Sequence, residues 1–177
     1  MVGETRNSIK SIPEEEVETT APKTTNDSVR PPLICEDGWK YNNHTKKCYK
    51  LFHEPDTWSE AIHSCRWNAD TDTWADTDGD LASVPDRETE EFLIELAKSS
   101  VGFSDSIWLG GQARKTNGTW FWNDGTPWNY TNWALNEPNN GSGREHRLEL
   151  WWDQPSWNDD DGSEYHGYIC QYSDVSY

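Results

Sequence analysis

Twelve of the 177 residues are tryptophan, in a chain whose hydrophobic fraction is only 33%. Seven tyrosines and four phenylalanines stand beside them, and the mean hydropathy is −1.02. A disordered acidic chain lacks such rings. The expected fold is therefore a loop-rich domain with a core of large aromatic side chains, joined to a polar extension. The length allows one domain with a real core plus a tail.

The formal net charge is −17. A surface of that sign disfavours nucleic acid and anionic membranes, argues against sulfated or heavily sialylated ligands, and raises the local cation concentration. It also serves solubility. Four cysteines, Cys35, Cys48, Cys65 and Cys170, include no CxxC spacing, so zinc-site and thioredoxin-type chemistry are poor readings. Asn26, Asn43, Asn117, Asn129 and Asn140 each precede Ser or Thr by two residues, all in polar stretches. Such acceptor sites together with paired cysteines favour an extracellular compartment. The opening Met1-Val2-Gly3-Glu4-Thr5-Arg6 has no apolar run, and no segment reaches the roughly 20 apolar residues of a membrane helix. The expectation is a secreted protein, or the ectodomain of a membrane protein, without direct membrane insertion by this chain.

Residues 1–33 form one compositional block, with Glu14-Glu15-Glu16, Thr19-Thr20 and Pro31-Pro32, and too few apolar groups to offset the entropy of ordering. This reads as a disordered acidic Thr/Pro-rich stalk or tail. Residues 34–177 read as the folded domain. Gly38–Tyr41 and Lys47–Phe52 predict a hairpin around Asn42-Asn43. Thr57 caps a helix with Trp58, Ala61, Ile62 and Cys65 on one face. A second helix is expected from Ser83, paired with Asp86 in a capping-box-like arrangement, with Phe92, Leu93 and Leu96 as its stripe. Ile107–Gly111, Thr119–Trp122, Leu148–Trp152 and Tyr168–Cys170 read as strands. Two helices followed by a β-rich half imply an α+β domain with helices flanking an antiparallel sheet. A Cys35–Cys48 bridge would close the hairpin and a Cys65–Cys170 bridge would tie the first helix to the last strand, but four cysteines permit three connectivities.

The chemistry concentrates near the C-terminus. Glu137-Pro138-Asn139, then Glu145, then Asn158-Asp159 offer five oxygen-bearing side chains from three short stretches. Calcium takes six to eight oxygen ligands at about 2.3–2.6 Å. Five converging donors leave positions for a ligand's own hydroxyl groups. The acidic run Asp70–Asp80 lacks the spacing and the bidentate Glu of an EF-hand and reads as a solvated loop.

A series of landmarks now falls in order. It comprises Cys35 with Gly38-Trp39, Cys48-Tyr49, Trp58-Ser59-Glu60-Ala61 through Cys65, Leu81-Ala82-Ser83-Val84, Ile107-Trp108-Leu109-Gly110 and Trp120-Phe121-Trp122-Asn123-Asp124-Gly125. Trp133, Glu137-Pro138-Asn139, Trp157-Asn158-Asp159 and Tyr168-Ile169-Cys170 continue it. Over about residues 35 to 172 the chain resembles the C-type lectin-like domain. The resemblance implies a double-loop α+β fold, a long loop carrying a calcium and sugar site, and the bridges Cys35–Cys48 and Cys65–Cys170. It carries Glu137, Asn139, Glu145, Asn158 and Asp159 over as ligands of both Ca2+ and sugar, with a cis peptide before Pro138. The Glu-Pro-Asn order resembles members that read equatorial vicinal hydroxyls of mannose, N-acetylglucosamine, glucose or fucose; the galactose-type Gln-Pro-Asp is absent.

Two departures stand out. An inner disulfide of the family would join positions occupied here by Arg147 and Gly162, so the long loop is expected to lean on calcium for rigidity, and Arg147 to meet Asp160 or Asp161 at most. Asn140 and His146 replace acidic ligands of an auxiliary calcium site. Trp128, Trp151 and Trp152 are the rings placed to flank a sugar. The expected function is a calcium-dependent lectin for glycans on glycoproteins or on microbial and cell surfaces, with a role such as innate immunity. The alternative is a lectin-like protein-binding or ice-binding module. No Gly-x-Ser-x-Gly or His-Glu-x-x-His occurs, so no enzyme is expected. The tail lacks the heptads of a coiled coil, which leaves the oligomeric state open.

Overall fold

The computed structural model describes Gly3 and residues 35–66, 79–99, 106–151 and 153–173. The chain divides into two units, Met1–Pro31 and Pro32–Tyr177, and the described fold is that of the second. Apart from Gly3, the tail expected over 1–33 lies outside the described residues, as do residues 70–78 of the acidic run and Trp152.

The expected hairpin pairs β1 (Lys40–Asn42) with β2 (Lys47–Asp56). Its turn is organised by Asn42, whose side-chain oxygen accepts from the N–H groups of His44 at 2.8 Å and Thr45 at 3.2 Å. Asparagine favours such turns because its side chain satisfies backbone donors that have left the ladder. Cys35 is bonded to Cys48 and Cys65 to Cys170, the pairing that the resemblance implies.

Helix α1 (Trp58–Arg66) starts where local chemistry dictates. Glu60 N donates to Thr57 Oγ1 at 3.3 Å, and Thr57 N donates to the Glu60 carboxylate at 3.3 Å. This reciprocal pair satisfies two N–H groups that the helix itself leaves open. Trp58, Ala61, Ile62 and Cys65 are buried, as their spacing predicts. Next come the short β3 (Asp80–Leu81) and α2 (Arg87–Lys98).

Helix α2 begins later than expected. Its cap is Asp86, whose carboxylate accepts from Thr89 N at 2.8 Å. Pro85 disfavours helical conformations for Val84, and the Ser83 hydroxyl is spent on Asp124 at 2.8 Å. The buried stripe is Thr89, Glu90, Leu93, Ile94 and Ala97, with Phe92 and Leu96 only partly covered.

The remaining strands are β4 (Ser106–Ala113), β5 (Trp120–Trp122), β6 (Arg147–Trp151), β7 (Ser156–Asp160) and β8 (His166–Ser173). They join one sheet in the order β1-β2-β8-β4-β6-β7, with β3 on β8 and β5 on β4. The sheet is mixed rather than purely antiparallel, because β4 and β8 run parallel. A parallel pair needs a long crossover, and the loop-rich half between β4 and β8 provides it. Each helix covers its own part of the core. Leu93, Ile94 and Ala97 of α2 pack with Leu109, Trp122, Leu148, Leu150 and Trp157, while α1 packs with Leu81, Trp108, Tyr168 and Cys170.

Arg147 fills the place of the absent inner disulfide. Its Cγ lies 2.8 Å from where a Cβ on Gly162 would stand, so the two residues are in direct contact. The guanidinium stacks on the Trp58 ring, 4.4 Å from its centroid, and donates to His146 O at 3.0 Å. The pairing with Asp160 or Asp161 is not formed. Asp160 accepts from Gly162 N at 2.7 Å and Asp161 from Ser163 N at 2.9 Å. The aromatic face takes the cation instead.

Candidate functional site

The long connection between β5 and β6 is fastened to the domain in two layers. Backbone bonds join it to β7: Ala134 N donates to Trp157 O at 2.8 Å, and Trp157 N to Asn132 O at 2.8 Å. Beneath them lies a set of rings. Trp157 meets Trp122, Trp128, Tyr130 and Trp133 at centroid distances of 5.7 to 5.8 Å, mostly edge-on. Such geometry suits ring quadrupoles. Trp128 stacks on Trp120 at 5.8 Å and packs against Trp122 at 4.5 Å, so it is a core ring rather than a free platform for a sugar.

Glu90 locks this assembly to α2. Its carboxylate, in a residue only 4% exposed, accepts from Trp157 Nε1 at 2.7 Å, Tyr130 OH at 2.7 Å and Asn132 Nδ2 at 3.1 Å. A buried carboxylate is tolerated only when its oxygens are fully engaged, as they are here. Burial, reinforced by Glu90, pushes the Tyr130 phenol well above its ordinary range. Sequence reasoning missed Glu90, although an acid at a stripe position shared with Leu93, Ile94 and Ala97 was the signal.

On this base the loop sets Glu137 and Asn139 against Asp159 of β7. The Glu137–Pro138 peptide is cis, and Asn136 before it has φ +73. Asn139 Nδ2 donates to Glu137 Oε1 at 3.0 Å, and Asn139 N to Glu137 Oε2 at 3.1 Å. Asp159 is buried and accepts from Asn139 N at 2.9 Å through one oxygen and from Asn140 N at 2.8 Å through the other. Burial raises the Glu137 pKa; Asn139 opposes the rise, and the neighbouring Asp159 adds to it. Two carboxylates held side by side repel unless a proton or a cation stands between them.

The other two donors are engaged elsewhere. Glu145 accepts from Gly141 N at 2.6 Å across the 3-10 turn Gly141–Gly143. Asn158 donates from Nδ2 to Glu149 Oε1 at 2.8 Å. Strand alternation explains the division, since successive side chains of β7 point to opposite faces. Asp159 faces the loop, and Asn158 faces Glu149 on the neighbouring strand. Among the described residues, no three His, Cys, Asp or Glu side chains are gathered tightly enough to hold a metal ion. The donor chemistry nonetheless fits a hard cation, because every one of the five offers oxygen.

Glu149 is the second residue that sequence reasoning missed. It lies between Leu148 and Leu150 on β6, and its side chain is only 7% exposed. Burial favours its protonation, but hydrogen bonds from His166, Asn158, Ser106 and Trp151 outweigh that and hold its pKa below the usual range. Trp151 donates from Nε1 to Glu149 at 2.8 Å.

The described acceptor asparagines Asn43, Asn117, Asn129 and Asn140 are all exposed. No described helix is long and apolar enough to cross a membrane.

The family model for the lectin C-type domain matches residues 54–172. The chain belongs to the C-type lectin domain family. A C-type lectin, lectoxin-Lio3 from Erythrolamprus poecilogyrus, is 33% identical over 149 residues, covering 77% of this chain and 80% of its own length. Among solved structures, the EPNH mutant of CEL-I superposes with a TM-score of 0.69 at 25% identity, covering 78% of this chain and 96% of that one. A calcium-independent type II antifreeze protein superposes with a TM-score of 0.63 at 25% identity, covering 79% and 95%. The double-loop lectin fold and its family are thus established, and the family is generally non-enzymatic.

Proposed function

We propose that this C-type lectin domain is a calcium-dependent sugar receptor that reads equatorial vicinal diols of the mannose, N-acetylglucosamine, glucose or fucose type. The observation that carries the reading is the interlocked triad of Glu137, Asn139 and Asp159 around the cis Glu137–Pro138 peptide. Glu137, Asn139, Glu145, Asn158 and Asp159 would hold the ion. Bound there, calcium supplies open coordination positions that hydroxyl oxygens can fill. The side chains do the discriminating. Each carboxylate accepts from a sugar hydroxyl, and each amide donates to one. The acid-then-amide order fixes which hydroxyl meets a donor and which an acceptor, so only a diol of matching geometry satisfies both. Cross-links Cys35–Cys48 and Cys65–Cys170 and the exposed sequons support work outside the cell. The partners are then glycans on glycoproteins or on microbial and cell surfaces.

A second reading, a calcium-independent binding module, is favoured by one feature: both Asp159 oxygens are already satisfied by loop N–H groups. Retention on mannose-agarose and release by EDTA separates the two. The lectin reading expects release by chelation, whereas retention in EDTA, or no retention beside calcium-independent partner binding, contradicts it.

A further inference from the structure

We propose that Glu149 is a positioning residue for the sugar site: it fixes the orientation of the Asn158 side-chain amide and so decides which atom Asn158 offers to a cation. The inference rests on the reading of Asn158 as a calcium ligand. The pairing of β6 with β7 sets Glu149 opposite Asn158, and Asn158 Nδ2 donates to Glu149 Oε1 at 2.8 Å.

The carboxylate is itself held still. Trp151 Nε1 donates to the same oxygen at 2.8 Å, and His166 Nε2 lies 3.2 Å from the other. The His166 ring in turn packs against Trp108 at 4.7 Å. An ionised carboxylate only accepts, whereas a carboxamide has one donating and one accepting end. Against Glu149, only the NH2 end of Asn158 is favourable. A flipped amide would set oxygen against oxygen at a buried position, where such contacts are strong. The amide oxygen is therefore turned away from Glu149 and left for an incoming ion. An unheld amide would divide its time between two orientations, of which one ligates.

Packing alone does not call for an acid here. An apolar side chain of similar volume would fill the space without removing a charge from water. Partners behind a metal ligand, in contrast, commonly change metal affinity by about 10–100-fold when removed.

The test uses the full chain. In the calcium-free native protein, NMR should show Asn158 Nδ2 proton signals protected from exchange with solvent, one of them shifted downfield by the bond to Glu149. E149Q keeps an accepting oxygen and should preserve these signals and calcium affinity to within a few-fold. E149L should remove that protection and that shift, and weaken calcium binding by at least about tenfold in calorimetry. In an N158A background, E149L should weaken calcium binding no further. Three results would overturn the inference: freely exchanging Asn158 protons in the native chain, native calcium affinity in E149L, or an undiminished effect of E149L in N158A. The native-chain spectrum does not depend on any variant folding. Native calcium affinity in N158A alone would overturn the ligand reading itself, which separates that failure from failure of the positioning role.

Discussion

Joining residues 147 and 162 covalently tests how the long loop is tied down. A Cβ built on Gly162 lies 3.6 Å from Arg147 Cβ, inside the roughly 3.5–4.5 Å that a disulfide spans. The double variant R147C/G162C should therefore oxidise spontaneously. The useful comparison is R147S/G162S, which also loses the Arg147–Trp58 stack and places a side chain at the same positive φ of +84. Those penalties, about 1–2 kcal/mol for the left-handed backbone and about 0.5–1 kcal/mol for the cation–π contact, are common to both and cancel. What remains is the cross-link, worth about 3 kcal/mol for a loop near 15 residues. For a domain of this size each kcal/mol moves Tm by roughly 3–4 °C, so the cysteine pair should melt about 10 °C above the serine pair. Calcium should also raise Tm less in the cross-linked variant than in the native chain. Thiol titration and calorimetry measure both. Two free thiols in the folded variant would refute the placement of Arg147 against Gly162. A disulfide that forms but leaves Tm at the serine value would refute the role of this contact in holding the loop.

Further expectations concern the supports and the site. E90Q leaves one accepting oxygen for the three donors Trp157, Tyr130 and Asn132; urea unfolding should show a loss of about 2–3 kcal/mol. Asp124 opposes its own burial through Lys47 and Thr126, which hold its pKa down at about 2 from 3.8. Its contribution is thus complete above the unfolded value and fades as pH falls toward the folded one. D124N should cost about 2 kcal/mol at neutral pH and almost nothing near pH 2, read from thermal melts across pH. The raised pKa of Glu137 means that protons compete for it at higher pH than for an ordinary glutamate. Calcium binding should weaken already in mild acid, as a calorimetric pH series would show.

Legibility in the sequence followed the range of the interactions involved. Helix α1 was readable because Thr57, Glu60 and the stripe of Trp58, Ala61, Ile62 and Cys65 lie within three turns of one another. The start of α2 was misplaced because Ser83 and Asp86 are both plausible caps, and the decision came from Pro85 and from Asp124, far along the chain. The donor order Glu-Pro-Asn is local, and so are the bonds that join Glu137 to Asn139. The partner of Asn158 is not local. It depends on the register of β6 against β7, and β7 itself was hidden behind its reading as a donor motif. Glu90 and Glu149 were missed for the same physical reason: an acid is buried only when distant donors reach it, and those donors are visible only in three dimensions.

The central claim is that the Glu137–Asn139 order makes this domain a calcium-dependent reader of mannose-type diols. Equilibrium binding of methyl mannoside and methyl galactoside, each in millimolar calcium and in EDTA, tests it on the native chain and on E137Q/N139D. Mannoside binding that needs calcium in the native chain, and that disappears or passes to galactoside in the variant, is the predicted result. Mannoside binding that survives EDTA, or that the variant keeps unchanged, would contradict it.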